Sequence, residues 1–233
     1  MMNNTRWLLP AVMACLVAAS PLAAQDMHKQ DLHKQDLHKH GGHHPRFDDP
    51  KKWSASFDDP ERDKWQMPDR IVEALTLRPT DTVADIGAGT GYMAVRFARQ
   101  LKSGTVLAVD IEPNMVKHLT ERAKAAGIDN LRAITGGTQS PNLPEAVDVA
   151  FLLNVYHHLD QRPDYFKRLR ASLKPGGRVA IVDFRPDAPA GAPKHMRLSA
   201  EKITDEMKTA GYKPAGSFDF LPRQNFLLFQ AAE

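Results

Sequence analysis

From position 68 onward the chain alternates between two hydrophobic periods. Short apolar runs at 82–85, 105–110, 131–135, 147–153 and 178–184 predict strands. Amphipathic stretches at 69–77, 92–101, 113–126 and 163–173 predict helices between them. The first turns Ile71, Val72, Leu75 and Leu77 inward, and Gly127 stops the third. The run at 147–153 is apolar almost throughout, as in a strand covered on both faces. Such alternation predicts an α/β fold with a doubly wound, parallel sheet. The end breaks the rhythm. Ser199 caps a helix that ends before Gly211, and two aromatic-rich runs follow at 216–221 and 225–230. Only Pro222, Arg223 and Gln224 join them, so they pair antiparallel. The expected sheet has seven strands, mostly parallel, closed at one edge by a C-terminal antiparallel β-hairpin.

Upstream the pattern is different. Arg6 precedes an apolar stretch at 7–19, and Ser20-Pro21-Leu22-Ala23-Ala24 offers small residues for cleavage. Residues 1–24 therefore read as a signal peptide, and the chain as exported, to a periplasm. Pro10 and Pro21 interrupt a run too short to span a membrane, so no stable span is expected after cleavage. The alternatives are a retained signal anchor in the inner membrane, or lipidation at Cys15. If the signal stays, Lys29, Lys34 and Lys39 favour a cytoplasmic carboxyl terminus. Residues 25–45 repeat a five-residue unit and hold His28, His33, His38, His40, His43 and His44. Their apolar content is too low to offset ordering entropy, which predicts a disordered linker. Imidazole suits Cu, Ni or Zn, so weak transition-metal binding is a second reading of the same tract.

Residues 46–80 form an N-terminal helical cap ahead of a main domain at 81–233. Within the cap, Phe47-Asp48-Asp49-Pro50 recurs as Phe57-Asp58-Asp59-Pro60, trailed by Trp53 and Trp65. Asp before Pro starts a helix: the acid caps it and the ring occupies its first turn. Two short helices follow, either packed on the domain or forming a flap over its site.

The 233 residues are 42% hydrophobic and 25% charged, enough for one good-sized domain with extensions. A net charge of +3 without a basic stripe gives no support to a nucleic-acid partner. Cys15 is the single cysteine and falls in the signal. The mature chain then has no disulfide, thiolate nucleophile or thiolate metal site.

Chemistry concentrates at Asp85-Ile86-Gly87-Ala88-Gly89-Thr90-Gly91, where a strand ends in a glycine-rich turn before a helix. Backbone without Cβ approaches a ligand closely, and the helix amino terminus is expected to aim N–H groups at it. A nucleotide-like cofactor follows. The spacing is G-x-G-x-G rather than the G-x-G-x-x-G of dinucleotide binders. Asp110, ending the second strand, suits the two hydroxyls of a ribose, a feature NAD binders share.

Four segments taken together are more specific: 85–91; Val109-Asp110-Ile111-Glu112-Pro113; Asp148-Val149-Ala150-Phe151 leading to Tyr156-His157-His158-Leu159; and Leu173-Lys174-Pro175-Gly176-Gly177. Their order, spacing and terminal hairpin resemble the class I S-adenosylmethionine-dependent methyltransferases, from about Trp65 to the end. The resemblance implies a Rossmann-like sheet and S-adenosyl-L-methionine as cofactor. It implies that Gly87, Ala88 and Gly89, with Thr90 and Gly91 beside them, cradle the methionine part. Asp85 would face its ammonium group, Asp110 the ribose, and Ile111 the adenine. Relatives often carry an acid after the third strand; here Thr138 or Gln139 stands there. Asn154 would line the reactive side.

Methyl transfer chiefly needs positioning, with a base where the acceptor is protonated. His157 and Tyr156 are the catalytic candidates, with His158 and Asp183 nearby; packing is the competing role for the histidine pair. The Asn/Asp-Pro-Pro-Tyr/Phe motif of amino-methylating enzymes is absent, since this position reads Asn154-Val155-Tyr156-His157. A small-molecule acceptor is expected, covered by the loop at 185–193. Two readings compete: an NAD(P)-dependent oxidoreductase, and an exported metal-binding or interaction protein that keeps the fold without turnover. Export also separates the chain from a cofactor made in the cytoplasm.

Overall fold

A computed structural model describes residues 47–232 of the chain. The predicted signal peptide and histidine tract lie outside the described residues. Among those described, no helix is long and apolar enough to cross a membrane.

The cap begins with α1 (Pro50–Phe57), α2 (Pro60–Gln66) and α3 (Pro68–Ala74). The Asp49 side chain accepts from Lys51 and Lys52 N–H, and Asp59 from Glu61 N–H. Each such cap contributes about 1 kcal/mol, which is why both copies of the repeat start a helix. Then follow β1 (Thr82–Ile86), α4 (Ala94–Gln100), β2 (Thr105–Asp110), α5 (Pro113–Ala125), β3 (Leu131–Thr135) and β4 (Val147–Leu153). After a 3₁₀ turn at Tyr156–His158 come α6 (Arg162–Leu169), β5 (Leu173–Phe184), α7 (Ala200–Thr209), β6 (Tyr212–Phe218) and β7 (Gln224–Ala231).

The sheet has seven strands in the order β3-β2-β1-β4-β5-β7-β6. Pairing is parallel from β3 to β5, and β7 is antiparallel to both β5 and β6. The predicted hairpin is present, shifted toward the amino terminus. β6 starts at Tyr212, because Tyr212 pairs with Ala231, and Phe220 and Leu221 fall in the connection. Gly176 and Gly177, ahead of the strand predicted at 178–184, form a bulge inside β5. Val147 and Val149 of β4 oppose Leu173 and Arg178, and Gly176 takes up the excess at φ 74°.

Strand alternation sorts the core onto two faces. Val83, Ala108, Val149 and Phe151 join Ile71, Leu75, Phe97 and Leu119 from the helices on one side. Ala84, Leu107, Ala150 and Leu152 join Phe166, Ile203 and Met207 on the other. On the first face Phe97 meets Phe151 edge-on at 5.0 Å, worth about 1 kcal/mol beyond the area buried. Running both faces outward from β1 leaves a crevice at the carboxyl edge, where the strand order reverses between β1 and β4. Gly87, Asp110, Asn154 and Asp183 all come to that edge.

Candidate active site

The glycine turn closes tightly on its neighbours. Gly87, Gly89 and Gly91 have φ of 72°, 55° and 94°. At Gly87 a Cβ would lie 2.3 Å from Val155 Cγ2, so the chain leaving β4 crosses directly over the turn. Four of the turn's amides are engaged within the protein. Gly87 and Ala88 N–H both donate to Val109 O, at 2.8 and 2.9 Å. Gly89 N–H donates to Asp110 Oδ2 at 2.8 Å, and Gly91 N–H to Ala88 O. The helix amino terminus is likewise engaged from within, as Ala94 N–H bonds the Asp85 carboxylate. A phosphate arriving here finds few donors. Val109 O has taken two, the Asp110 side chain one and the turn itself one.

What the turn offers instead is negative charge. Asp85 is buried at the end of β1, and its Oδ2 has no hydrogen-bond partner among the described residues. The Thr90 hydroxyl is orphaned in the same way. Burial, reinforced by the nearby Asp110, pushes the Asp85 carboxyl up to about 7, against the pull of Ala94 N–H and Arg62. An unpaired buried carboxylate costs several kcal/mol. A cation set against Oδ2 would remove that cost.

Asp110 ends β2 beneath the turn. Its Oδ1 accepts from Glu112 N–H at 3.0 Å while Oδ2 accepts from Gly89 N–H. Each oxygen keeps a lone pair for a hydroxyl. Burial raises its carboxyl above the usual range, partly offset by those amides. Ile111, just beyond, is half-buried. Thr138 lies half-buried in the loop after β3, whose start is tied to β2 by Gly136 N–H to Asp110 O at 2.9 Å.

Asn154 follows β4 at φ 58°, held by its N–H to Val182 O at 2.8 Å. Its Oδ1 accepts from Gln224 Nε2 at 2.6 Å, and Gln224 Oε1 accepts from Gln66 Nε2 at 2.6 Å. Both glutamines are fully buried. A side-chain chain therefore runs from α2 through β7 to the site. Nothing in the sequence pointed to it.

The two catalytic candidates separate. Tyr156 is fully buried, stacks on Phe166 at 5.3 Å and donates its hydroxyl to Glu206 Oε2 at 2.8 Å. Burial and Glu206 together raise its pKa. It packs beneath the sheet against α6 and α7, and the sequence expectation for it is corrected: the 3₁₀ turn points consecutive residues in different directions. His157 faces the other way. Its Nδ1 lies 2.7 Å from Asp183 Oδ1, and its N–H donates to Asp183 Oδ2 at 3.1 Å. A carboxylate only accepts, so Nδ1 carries the proton and Nε2 keeps its lone pair. Asp183, the penultimate residue of β5, also receives Phe184 N–H at 2.7 Å. The loop at 185–193 folds back on Phe184, held by Arg197 Nε to Ala192 O at 2.6 Å.

The cap borders this edge. The Phe57 ring lies 3.3 Å from where a Cβ on Gly89 would be. Phe47 meets Trp53, Phe57 and His158 at 4.7, 5.9 and 5.6 Å. A separate groove of about 790 Å³ runs between α3, α4 and α5, lined by Glu73, Arg96 and Arg99 among others. It carries none of the orphaned polar atoms and lies away from the carboxyl edge. Among the described residues no three His, Cys, Asp or Glu side chains cluster as metal ligands.

A doubly wound sheet, a glycine turn over a buried acid and a second acid ending β2 define a nucleoside-binding α/β domain. A family model described as "Methyltransferase domain" matches residues 83–177. The chain is 30% identical over 144 residues to the 27-O-demethylrifamycin SV methyltransferase of Amycolatopsis mediterranei, covering 60% of this chain and 51% of that protein. It is 32% identical over 160 residues to a probable ribosomal RNA small subunit methyltransferase A of Methanosarcina mazei, covering 65% and 56%. It thus spans about half the length of these curated relatives. A solved SAM-dependent methyltransferase from Aquifex aeolicus superposes with a TM-score of 0.72 at 22% identity, over 78% of this chain and 97% of that one. Residues 83–177 thus match a methyltransferase domain, and the fold is that of S-adenosylmethionine-dependent methyltransferases.

Proposed function

We propose that this chain transfers a methyl group from S-adenosyl-L-methionine to a small-molecule acceptor, with His157 as base. The observation that carries the reading is Asp85: a buried carboxylate with an open oxygen, under a turn whose four amides at Gly87, Ala88, Gly89 and Gly91 are already engaged. A pyrophosphate needs the opposite, free donors and no buried anion. The ammonium of a methionine moiety fits Asp85 and the Thr90 hydroxyl, and the remaining lone pairs of Asp110 fit ribose hydroxyls. When bound, the cofactor supplies an electrophilic methyl on a sulfonium and departs as the neutral thioether. Asp183 fixes the imidazole of His157 in one tautomer, leaving Nε2 to take the acceptor's proton. The loop at 185–193 and the half-buried Phe47 and Trp65 would shield the acceptor from water.

A small acceptor is supported by a net charge of only +3 without a basic stripe in the sequence and by the rifamycin named in one relative. The RNA named in the other is the competing class. Isothermal titration with S-adenosylhomocysteine should show binding, lost in Asp110→Ala, while NAD⁺ gives none. Binding of NAD⁺ alone would refute the reading.

We also infer export, on the first 24 residues alone. Mass spectrometry of the periplasmic fraction should find a mature chain starting at Gln25. An intact amino terminus in the cytoplasm would refute it.

A further inference from the structure

The buried glutamine pair at the carboxyl edge has a direction. Arg62 Nη2 donates to Gln66 Oε1 at 3.5 Å, Gln66 Nε2 to Gln224 Oε1 at 2.6 Å, and Gln224 Nε2 to Asn154 Oδ1 at 2.6 Å. A primary amide has nearly the same shape at its oxygen and its nitrogen, so packing alone does not orient it. Arg62 does, because a guanidinium has donors and no acceptor. It is itself fixed, over the Tyr92 ring at 3.9 Å and by Nη1 to Phe57 O at 2.7 Å. Arg62 requires the oxygen of Gln66, which leaves nitrogen for Gln224, which in turn leaves nitrogen for Asn154. Turning one glutamine over sets nitrogen against nitrogen at one joint and oxygen against oxygen at the other. Gln66 and Gln224 are 0% and 1% exposed, so solvent does not repair such a mismatch.

The relay leaves Asn154 with its carbonyl engaged and its Nδ2 donors free. Among the described residues Nδ2 has no hydrogen-bond partner, and it is not sealed from solvent. The dyad lies at the same place. Asn154 N–H bonds Val182 O, His157 N–H bonds Asp183, and Gln224 pairs with Phe184 across the β5–β7 ladder. Three successive residues of β5 thus gather the end of the relay and the His157–Asp183 pair. His157 Nε2, with its lone pair, is not sealed off either. The edge therefore presents a donor and an acceptor side by side.

We propose that the Arg62–Gln66–Gln224 relay holds Asn154 as a donor to the methyl-accepting atom, and that this atom is a hydroxyl oxygen. The proposal rests on the cofactor reading above, with His157 as base, and names the acceptor's chemical class. A hydroxyl gives its proton to His157 Nε2, attacks the methyl with one lone pair and keeps another to accept from Asn154 Nδ2. The O–CH₃ bond forms as the C–S bond breaks, and the electron pair of that bond stays on sulfur. Nδ2 steadies the negative charge that gathers on the oxygen as its proton leaves. An amine nitrogen has a single lone pair, which the attack consumes, and its hydrogens then face those of Nδ2. A carboxylate accepts from Nδ2 but has no proton for His157. Gln66 and Gln224 touch no reacting atom and act as positioning residues.

The test is transfer from S-adenosylmethionine carrying a ¹³C methyl, using the full chain and a small-molecule extract of the cells that express it. The NMR shift of the methyl carbon identifies the atom it has joined, and the expected product is an ether O–CH₃. Gln66→Glu places an acceptor-only carboxylate between Arg62 and Gln224, which turns over Gln224 and then Asn154. It should slow labelling at least about tenfold while S-adenosylhomocysteine affinity and melting temperature stay unchanged. A merely structural role would lower all three together. Gln224→Glu forces the same reversal at Asn154 and serves if Gln66→Glu does not fold. Transfer at the wild-type rate by the folded variant would overturn the relay. A labelled N–CH₃, C–CH₃ or ester, or no labelled small molecule from a chain that binds S-adenosylhomocysteine, would overturn the hydroxyl assignment and leave the cofactor reading intact. No binding by the folded wild type would overturn both.

Discussion

Replacing Asp85 by Asn separates a binding site from mere packing, because the two predict opposite effects on the ligand-free fold. The Asp85 carboxyl is raised from 3.8 to about 7, chiefly by burial. A raised carboxyl pKa means that the folded state holds the proton more tightly than the unfolded chain. Stability from this group is therefore greatest at low pH and is lost as pH climbs from about 4 to about 7. At about 1.4 kcal/mol per pH unit, that span costs the ligand-free fold roughly 4 kcal/mol once the group is ionised. Asn keeps an oxygen for Ala94 N–H but brings an amide donor without a partner, which returns about 2 kcal/mol of the gain. The variant should thus be more stable than wild type by about 2 kcal/mol at pH 8, or roughly 4–8 °C in melting temperature. The gap should close at about pH 5.3 and reverse below it. In titrations with S-adenosylhomocysteine, wild-type affinity should fall about tenfold per pH unit below 7, since the ammonium needs the ionised acid. The variant should bind at least about tenfold more weakly at pH 8 and with little pH dependence. Thermal melts and calorimetry from pH 4.5 to 8.5 check both. A variant that melts no higher than wild type at every pH, yet binds equally well, would refute the argument from burial and charge.

Four further substitutions test the rest of the site. His157→Asn should leave S-adenosylhomocysteine affinity unchanged and lower methyl transfer at least about 100-fold, with Asp183→Asn lowering it less; equal loss of binding and turnover would make the dyad structural. Tyr156→Phe should cost about 1 kcal/mol in denaturant unfolding and leave turnover within a factor of about two, where a large turnover loss would return Tyr156 to the reaction. Gly87→Ala forces a side chain into φ 72° and against Val155, and should destabilise by more than about 2 kcal/mol in thermal unfolding.

The sheet was legible because its information is local. Apolar runs, glycine stops and the Ser199 cap each specify one element, and parallel order follows from their alternation. The bulge at Gly176 was not, because it depends on how far β4 and β5 are out of step. The site divides along the same line. Asp85, the glycines and Asp110 sit within single strand ends, so spacing exposes them. Their hydrogen bonds are another matter: that Val109 O takes two turn amides, and Asp85 the first helix amide, follows only from the packed ladder. The split between Tyr156 and His157 comes from the 3₁₀ turn, which sets consecutive side chains about 120° apart. Gln66 and Gln224 lie 158 positions apart and read as ordinary polar residues until burial brings them together. The Phe-Asp-Asp-Pro repeat was visible, and so were the two helix starts it encodes.

The central claim is that Asp85 and the glycine turn form a cationic-nucleoside site at the carboxyl edge of β1. A crystal structure of the chain grown with S-adenosylhomocysteine tests it most directly. The account predicts the ligand's amino group within about 3 Å of Asp85 Oδ2, with both ribose hydroxyls on Asp110. A ligand bound elsewhere, or one that leaves Asp85 Oδ2 without a partner, would contradict it.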